Sequence, residues 1–313
     1  MPLDPIVKAF LDQMAAQPGP KMQEMPAADA RAMFAAMMQM VGPKDVPVGK
    51  VENIAMPGPG GDLQLRNYTP VAAGSDALPT LIFFHGGGFV IGDLDTHDGI
   101  CRILANESGA RVIAVNYRCA PEHKYPAALD DAIAALNWIE ANASKLGVDA
   151  NRRAGGGDAA GGALSAILAQ IANEKGKPKF AMQLLMFPVT QIGGETVSLR
   201  EFAEGYFLER ATLDWFFDCY LPPDADKSDP RISPLSAEDF AGLPPAYVLL
   251  SGYDPLHDEG AQYAEKLRAA GVAVTVADYP DMVHDFIYMD AILPQAREAL
   301  VAAANALKAA FDS

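Results

Sequence analysis

Phe83-Phe84-His85-Gly86-Gly87-Gly88-Phe89 sets three consecutive glycines and a histidine directly after an apolar run that reads as a buried strand. Glycines there let backbone N–H groups approach a ligand closely and point outward together. Donors so placed suit an oxyanion hole, which needs N–H groups about 2.7–3.1 Å from the developing O⁻ of a tetrahedral acyl-transfer intermediate. A tight strand-to-loop turn needs fewer glycines, so Gly86, Gly87 and Gly88 read as the donor run. A second stretch, Gly155-Gly156-Gly157-Asp158-Ala159-Ala160-Gly161-Gly162, precedes the helical run Ala163 to Ala172. Small residues are what a sharp strand-to-helix elbow requires, because Gly157 and Gly161 must clear neighbouring backbone on either side of a strained central residue. A nucleophile elbow reads G-x-S-x-G; here the centre is Ala159, so the shape is present and the hydroxyl is missing. A phosphate-binding loop competes, but no Gly-Lys-Ser/Thr follows and no G-x-G-x-x-G opens the helix.

These stretches need a frame. From Pro79 onward short apolar runs alternate with helical stretches: Thr80 to Phe84, Arg111 to Asn116, Met182 to Phe187, Ala246 to Leu250 and Val272 to Ala277 are the expected strands. Gly99 to Ser108, Ala127 to Leu146, Gly162 to Lys175, Glu259 to Ala270 and Pro294 to Phe311 are the expected helices. Such alternation implies a mostly parallel central sheet flanked by helices on both faces. Ahead of it, Val51 to Met56 and Leu63 to Tyr68 flank Pro57-Gly58-Pro59-Gly60-Gly61 and read as two strands of a hairpin. Asp254 follows the run Tyr247 to Leu250 by a short turn, and His284 follows the next expected strand. Both therefore fall in loops at the carboxyl edge of the sheet, where open α/β sheets carry their sites.

Five motifs in this order resemble the hormone-sensitive-lipase-like branch of the α/β-hydrolase fold, in its bacterial carboxylesterase form, over nearly the whole chain. His85-Gly86-Gly87-Gly88-Phe89 corresponds to that family's HGGG oxyanion motif, and Gly157 to Gly162 to its G-D-S-A-G-G elbow. Tyr117-Arg118-Cys119-Ala120-Pro121-Glu122-His123 with Pro126 to Asp130 is similar to its Y-R-L-A-P-E-H…P-A-A-x-D stretch. Asp254 to Gly260 resembles D-P-L-R-D-E-G, and Tyr279 to Phe286 its histidine motif. The resemblance implies that Asp254 orients, that His284 is the general acid/base, and that Ala159 occupies the place of the serine nucleophile. The order nucleophile, Asp, His agrees with it. Gly87, Gly88 and the N–H of Ala160 are the preferred oxyanion donors, and no metal or cofactor is implied. His257 stands where the family pattern has Arg, so any ion pair made by that Arg becomes pH-dependent or is lost here.

A serine esterase without its serine cannot form an acyl-enzyme. No other serine lies in a G-x-S-x-G context, and Ser165 belongs to the following helix. Two explanations stand: an engineered serine-to-alanine variant of an active parent, or a non-catalytic small-molecule-binding protein of the same fold. A binder freed from catalysis has no chemical need of both base and orienting carboxylate, which favours the first. His97, amid Asp93, Asp95 and Asp98, is a weaker metal-ligand candidate without a second His or Cys to complete a set.

The Ala- and Met-rich segment 1–45 and the aromatic-rich insertion 190–221 have no strand slot in the sheet and are expected to form a helical cap. The body is then 46–189 with 222–313. Met37, Met38, Phe89, Phe187, Tyr206, Phe207 and Trp215 are candidates for an apolar pocket taking small to medium acyl esters, and each could equally be core.

Composition excludes other classes. Against 40 Asp+Glu stand 24 Lys+Arg, a formal charge of −16 without any basic cluster, so phosphate neutralisation on nucleic acid is ruled out. The longest apolar runs fall well short of the ~18 residues of a spanning helix. Three sparse cysteines read as reduced thiols, and Met1 to Gln17 lacks the pattern of a secretory signal, so a cytoplasmic location is expected. A small-molecule ester is the expected partner; the sequence does not set an oligomeric state, and a homodimer is the candidate because the family's fold often buries its sheet edge in one.

Overall fold

The computed structural model describes residues 1–74, 76–174 and 180–313. In chain order its main elements are α1 (Pro5–Ala16), α2 (Ala27–Val41), β1 (Lys50–Gly58), β2 (Gly61–Thr69), β3 (Leu78–Phe84), α3 (Asp98–Ser108), β4 (Arg111–Asn116), α4 (Ala127–Ala141), α5 (Ala143–Leu146) and β5 (Val148–Asp158). There follow α6 (Ala160–Glu174), β6 (Gln183–Met186), α7 (Val197–Glu201), α8 (Arg210–Tyr220), β7 (Ala246–Tyr253), α9 (His257–Ala269), β8 (Val274–Val283) and α10 (Pro294–Phe311). The eight strands form one sheet in the order β1-β2-β4-β3-β5-β6-β7-β8. Only β2 runs antiparallel to its neighbours, β1 and β4; β4, β3, β5, β6, β7 and β8 are mutually parallel.

The hairpin closes as expected, with Gly58 opposite Gly61. In β2, Leu63 and Leu65 are buried while Gln64 is exposed, the alternation of a strand with one wet face. In β3, Thr80 to Phe84 are buried throughout, as a central strand covered on both faces must be.

Three expectations need correcting. The span Ala127 to Leu146 is two helices that meet at Asn142, whose side-chain amide donates back to the Trp138 carbonyl at 2.9 Å and ends the first. β8 begins and ends later than expected, at Val274 and Val283; it accommodates Pro280 because it is an edge strand. β5, the centre of the sheet, was not among the strands expected. The expected end of the following helix at Lys175 lies outside the described residues.

Segment 1–45 and segment 190–221 touch each other. Lys21 pairs with Glu209 at 2.7 Å, Thr212 Oγ1 donates to Gln23 Oε1 at 3.0 Å, and the Phe10 and Phe207 rings lie 6.2 Å apart. Each is also tied to the sheet's carboxyl edge. In α2, Arg31 donates to the Val90 and Ala120 carbonyls at 2.8 Å each and grips Glu122 with both terminal nitrogens. Lys124 Nζ reaches the carbonyls of Asp218 (2.8 Å), Cys219 (2.8 Å) and Leu221 (3.0 Å) at the C-terminal end of α8. A cation there satisfies orphan carbonyls and the negative end of the helix dipole together. Lys124→Met, which keeps the apolar stem, is expected to cost about 1–3 kcal/mol. The check is a lower urea midpoint at unchanged slope.

His257, at the start of α9, takes the place of the expected Arg between two carboxylates, with Nδ1 3.3 Å from Asp258 and Nε2 3.4 Å from Asp278. The Asp278 hydrogen bond, outweighing partial burial, raises its pKa from 6.5 to about 9. A raised folded-state value means stabilisation present in full below about pH 6.5 and lost as pH climbs through about 9. His257→Arg keeps its charge above that range, so its Tm is expected to fall less than the parent's between pH 7 and pH 9.5. Parallel declines would show that this pairing does not link stability to pH.

Candidate active site

The sheet's carboxyl edge collects the ends of β3, β5, β6, β7 and β8. At the end of β5, Ala159 has φ +45°, a left-handed conformation that costs a non-glycine residue free energy. Its backbone is pinned: the N–H donates to the Met186 carbonyl at 2.8 Å, and its carbonyl accepts from Ala163 and Val189, both at 3.1 Å. The flanking glycines have a steric reason. A Cβ on Gly157 would lie 2.1 Å from the Phe84 carbonyl oxygen, and one on Gly161 1.8 Å from it. The helix can start against the end of β3 only with glycine at both places.

Asp254, beyond β7, is 1% exposed. Its Oδ1 accepts the Leu256 N–H at 2.8 Å, and its Oδ2 lies 2.7 Å from His284 Nδ1. A carboxylate on Nδ1 fixes the tautomer and leaves Nε2 as the nitrogen free to exchange protons. The imidazole is buried under the Phe187 ring, which meets it edge-on at 5.6 Å. Burial disfavours its charge, but the Asp254 and Asp285 carboxylates outweigh that and hold its pKa well above the ordinary value. Asp285 was not anticipated: its Oδ2 stands 3.0 Å from Nε2.

Of the glycine run, Gly86 must be corrected. Its N–H donates to Asp158 Oδ2 at 3.1 Å and is not offered to a ligand. Among the described residues, the N–H groups of Gly87, Gly88 and Ala160 have no hydrogen-bond acceptor within the chain. Gly88, at φ +59°, must be glycine for a second reason: a Cβ there would lie 2.2 Å from Phe216 Cγ of α8.

Asp158 is the hub of a buried polar cluster. Besides Gly86 it accepts from the Tyr288 hydroxyl in a short bond and meets His97 Nε2 at 3.2 Å. Burial pushes its pKa up, yet His97 and Tyr288 more than reverse this and hold it down. His97 uses Nδ1 on Thr96 Oγ1 at 2.9 Å, so both ring nitrogens are engaged in hydrogen bonds rather than offered to a metal. Among the described residues no three His, Cys, Asp or Glu side chains form a metal-holding group. His85 stacks on Tyr117 at 4.2 Å, its pKa lowered by burial to about 4. His123 is exposed on its loop, and Ser165 is buried, donating to the Gly161 carbonyl.

The pocket candidates divide. Phe187 (φ +47°) touches His284. Tyr206 stacks near Phe202 and Tyr253, one residue before Asp254. Phe89 is corrected to a packing residue: it is buried, its ring 3.9 Å from that of Tyr220. Met38 likewise belongs to the core, while Met37 is only partly buried against it. Phe207 packs against Phe10, and Trp215 is half-buried beside Phe216. Phe216, missed in favour of its neighbour, is the α8 ring on the glycine run; the inward stripe Leu213, Phe216, Tyr220 at helical spacing was the available signal.

A model of the Abhydrolase_3 family, described as alpha/beta hydrolase fold, matches residues 81–288. The carboxylic ester hydrolase LipN of Mycobacterium tuberculosis is 44% identical over 243 residues, 76% of this chain and 64% of its own length. The chain thus spans less than two thirds of that relative. A crystal structure of a serine-to-alanine mutant of LAE6, an alpha/beta hydrolase enzyme from the metagenome of Lake Arreo, Spain, superposes with a TM-score of 0.97 at 44% identity, covering 99% of each chain. A serine-to-alanine mutant of the esterase rPPE, complexed with (S)-Ac-CPA, superposes at 0.94 with 35% identity, covering 99% of this chain and 98% of that one. No described helix is long and apolar enough to cross a membrane. On the matched fold, the motif order and these relatives, the chain belongs to the Abhydrolase_3 family of the alpha/beta hydrolase fold, the hormone-sensitive-lipase-like branch.

Proposed function

We propose that this chain is a serine-carboxylesterase framework with alanine at the nucleophile position, which binds small to medium acyl esters and does not turn them over as it stands. The observation that carries this is the buried Asp254–His284 pair at 2.7 Å, in a fold whose elbow holds Ala159 at φ +45°. With serine at 159, the hydroxyl oxygen attacks the ester carbonyl and its proton passes to His284 Nε2. The alcohol leaves with that proton, and water then repeats the steps to release the acid. Asp254 orients His284 and offsets the imidazolium charge. The N–H groups of Gly87, Gly88 and Ala160 stabilise the oxyanion.

Segments 1–45 and 190–221 are the cap over this site, as their mutual contacts and their anchors through Arg31 and Lys124 suggest. The body comprises 46–189 and 222–313. Phe187, Tyr206 and Phe216 are the wall residues we favour. The three unpaired thiols accord with a cytoplasmic setting. A homodimer would use a sheet edge, β1 or β8.

Ala159 itself favours a second reading, a receptor that retains an ester without cleaving it. The two are separated by hydrolysis of p-nitrophenyl acetate and butyrate by the chain and its Ala159→Ser variant. Background rates for both, with the variant folded, sink the esterase assignment for these substrates and turn attention to ligand screening.

A further inference from the structure

Asp285 is a buried carboxylate that the mechanism above does not use. It is 3% exposed, its backbone sits at φ +50°, and its Oδ1 finds no hydrogen-bond partner among the described residues. Each feature is a cost: a left-handed conformation for a residue with a side chain, a desolvated acid, an unsatisfied acceptor. Costs of this kind gather where a chain uses them. What this one gains is a position, with Oδ2 3.0 Å from the Nε2 of His284.

We propose that Asp285 is a positioning residue for ester hydrolysis, a second carboxylate on the working side of His284 that holds Nε2 and its proton until the nucleophile displaces it. The proposal rests on the esterase role of His284. Asp254 already holds Nδ1, so with Asp285 on the other nitrogen the ring is clamped at both ends. The second clamp fixes orientation but opposes catalysis, because a base must be unprotonated to accept the nucleophile's proton.

The groups around the pair leave Asp254 and Asp285 in control. Glu259 of α9 is held largely protonated near neutrality, its pKa raised to about 8 by burial. Asp158 at the end of β5 is committed to His97, Tyr288 and Gly86. Tyr288, which spends its hydroxyl on Asp158, donates its backbone N–H to the Asp285 carbonyl at 2.9 Å and so ties the two residues together. Phe187 and Phe286 complete the surroundings with apolar rings. An acid on Nε2 favours the imidazolium, so its removal lowers the pH at which His284 becomes a base.

The test is the pH profile of kcat/KM for p-nitrophenyl butyrate in the Ala159→Ser protein, with and without Asp285→Asn. Asp285→Gly is the companion variant, since glycine accepts φ +50° without strain. Both are expected to move the acid limb down by about one pH unit or more, giving a gain of about fivefold or more one unit below the original midpoint. An acid limb that stays in place, or moves up, in folded variants overturns the proposal. NMR titration of His284 in the Ala159 chain itself, with and without Asp285→Asn, reads the same pairing without turnover. A lowered His284 titration beside an inactive Ala159→Ser protein would condemn the esterase assignment and uphold the pairing; an unmoved titration would condemn the Asp285 proposal alone.

Discussion

Replacing Ala159 by serine is expected to raise kcat on p-nitrophenyl butyrate by on the order of 10⁶, the cost of deleting the nucleophile alone in a well-studied serine protease. The size follows from how little else is missing. Ala159 already carries the Cβ that its φ of +45° penalises, so the hydroxyl adds one atom and no new backbone strain. The elbow is held by hydrogen bonds to Met186, Ala163 and Val189 that do not involve the side chain. The base and its orienting carboxylate are paired at 2.7 Å before any nucleophile is present. The change is checked by steady-state rates beside a thermal melt, which should stay within a few degrees of the parent's. If instead the variant is folded and no faster, while small ligands raise its Tm, the pocket is a receptor.

How far such a site can be read from residues alone depends on what each signal is made of. Glycine runs and the order elbow, Asp, His are local in sequence, and they point to Ala159, Asp254 and His284 as candidates, of which the structure pairs Asp254 with His284 at 2.7 Å. The strand that carries the elbow was harder to see. After Val148, β5 runs through Asp149, Asn151 and Arg152 to Ala154, Gly155, Gly156 and Gly157 and ends on Asp158, with one β-branched residue and no aromatic to announce a strand. Its glycines are tertiary in origin: a Cβ on Gly155 would meet Phe180 at 2.7 Å, and one on Gly156 the Leu184 Cβ at 2.8 Å. A crowded central strand thus reads locally as a loop.

The same distinction explains the other misses. That Gly86 spends its N–H on Asp158 depends on two loops meeting, and nothing in His85-Gly86-Gly87-Gly88 separates its donors. Asp285 is hidden beside the histidine it serves, because adjacency in sequence does not say that a side chain folds back onto Nε2. Phe216 rather than Trp215 faces the glycine run, a matter of one position on α8 that helical spacing could have decided. Motif logic therefore nominates the candidate groups for chemistry, and the groups that hold them emerge only from packing.

That division predicts how the machinery fails. In the Ala159→Ser protein, Asp254→Asn is expected to lower kcat by about 10⁴, as loss of the orienting carboxylate does in a serine protease, by leaving the imidazole in the wrong tautomer. His284→Ala should remove nearly the whole gain that serine brings, because nucleophile and base act as one unit. In the chain with Ala159 neither substitution should change the residual rate appreciably, since no proton is there to be taken from a nucleophile. The four-way comparison of parent, Ala159→Ser, His284→Ala and the double variant thus yields a coupling energy close to the full effect of either change in the active form. Additive losses, with His284→Ala slowing both backgrounds equally, would mean that His284 acts elsewhere than on residue 159. The buried contact between Asp254 and His284 would then be structural. Near-complete coupling is the outcome the proposed triad requires, with His284 and Asp254 paired at 2.7 Å and Ala159 held at φ +45° in the elbow.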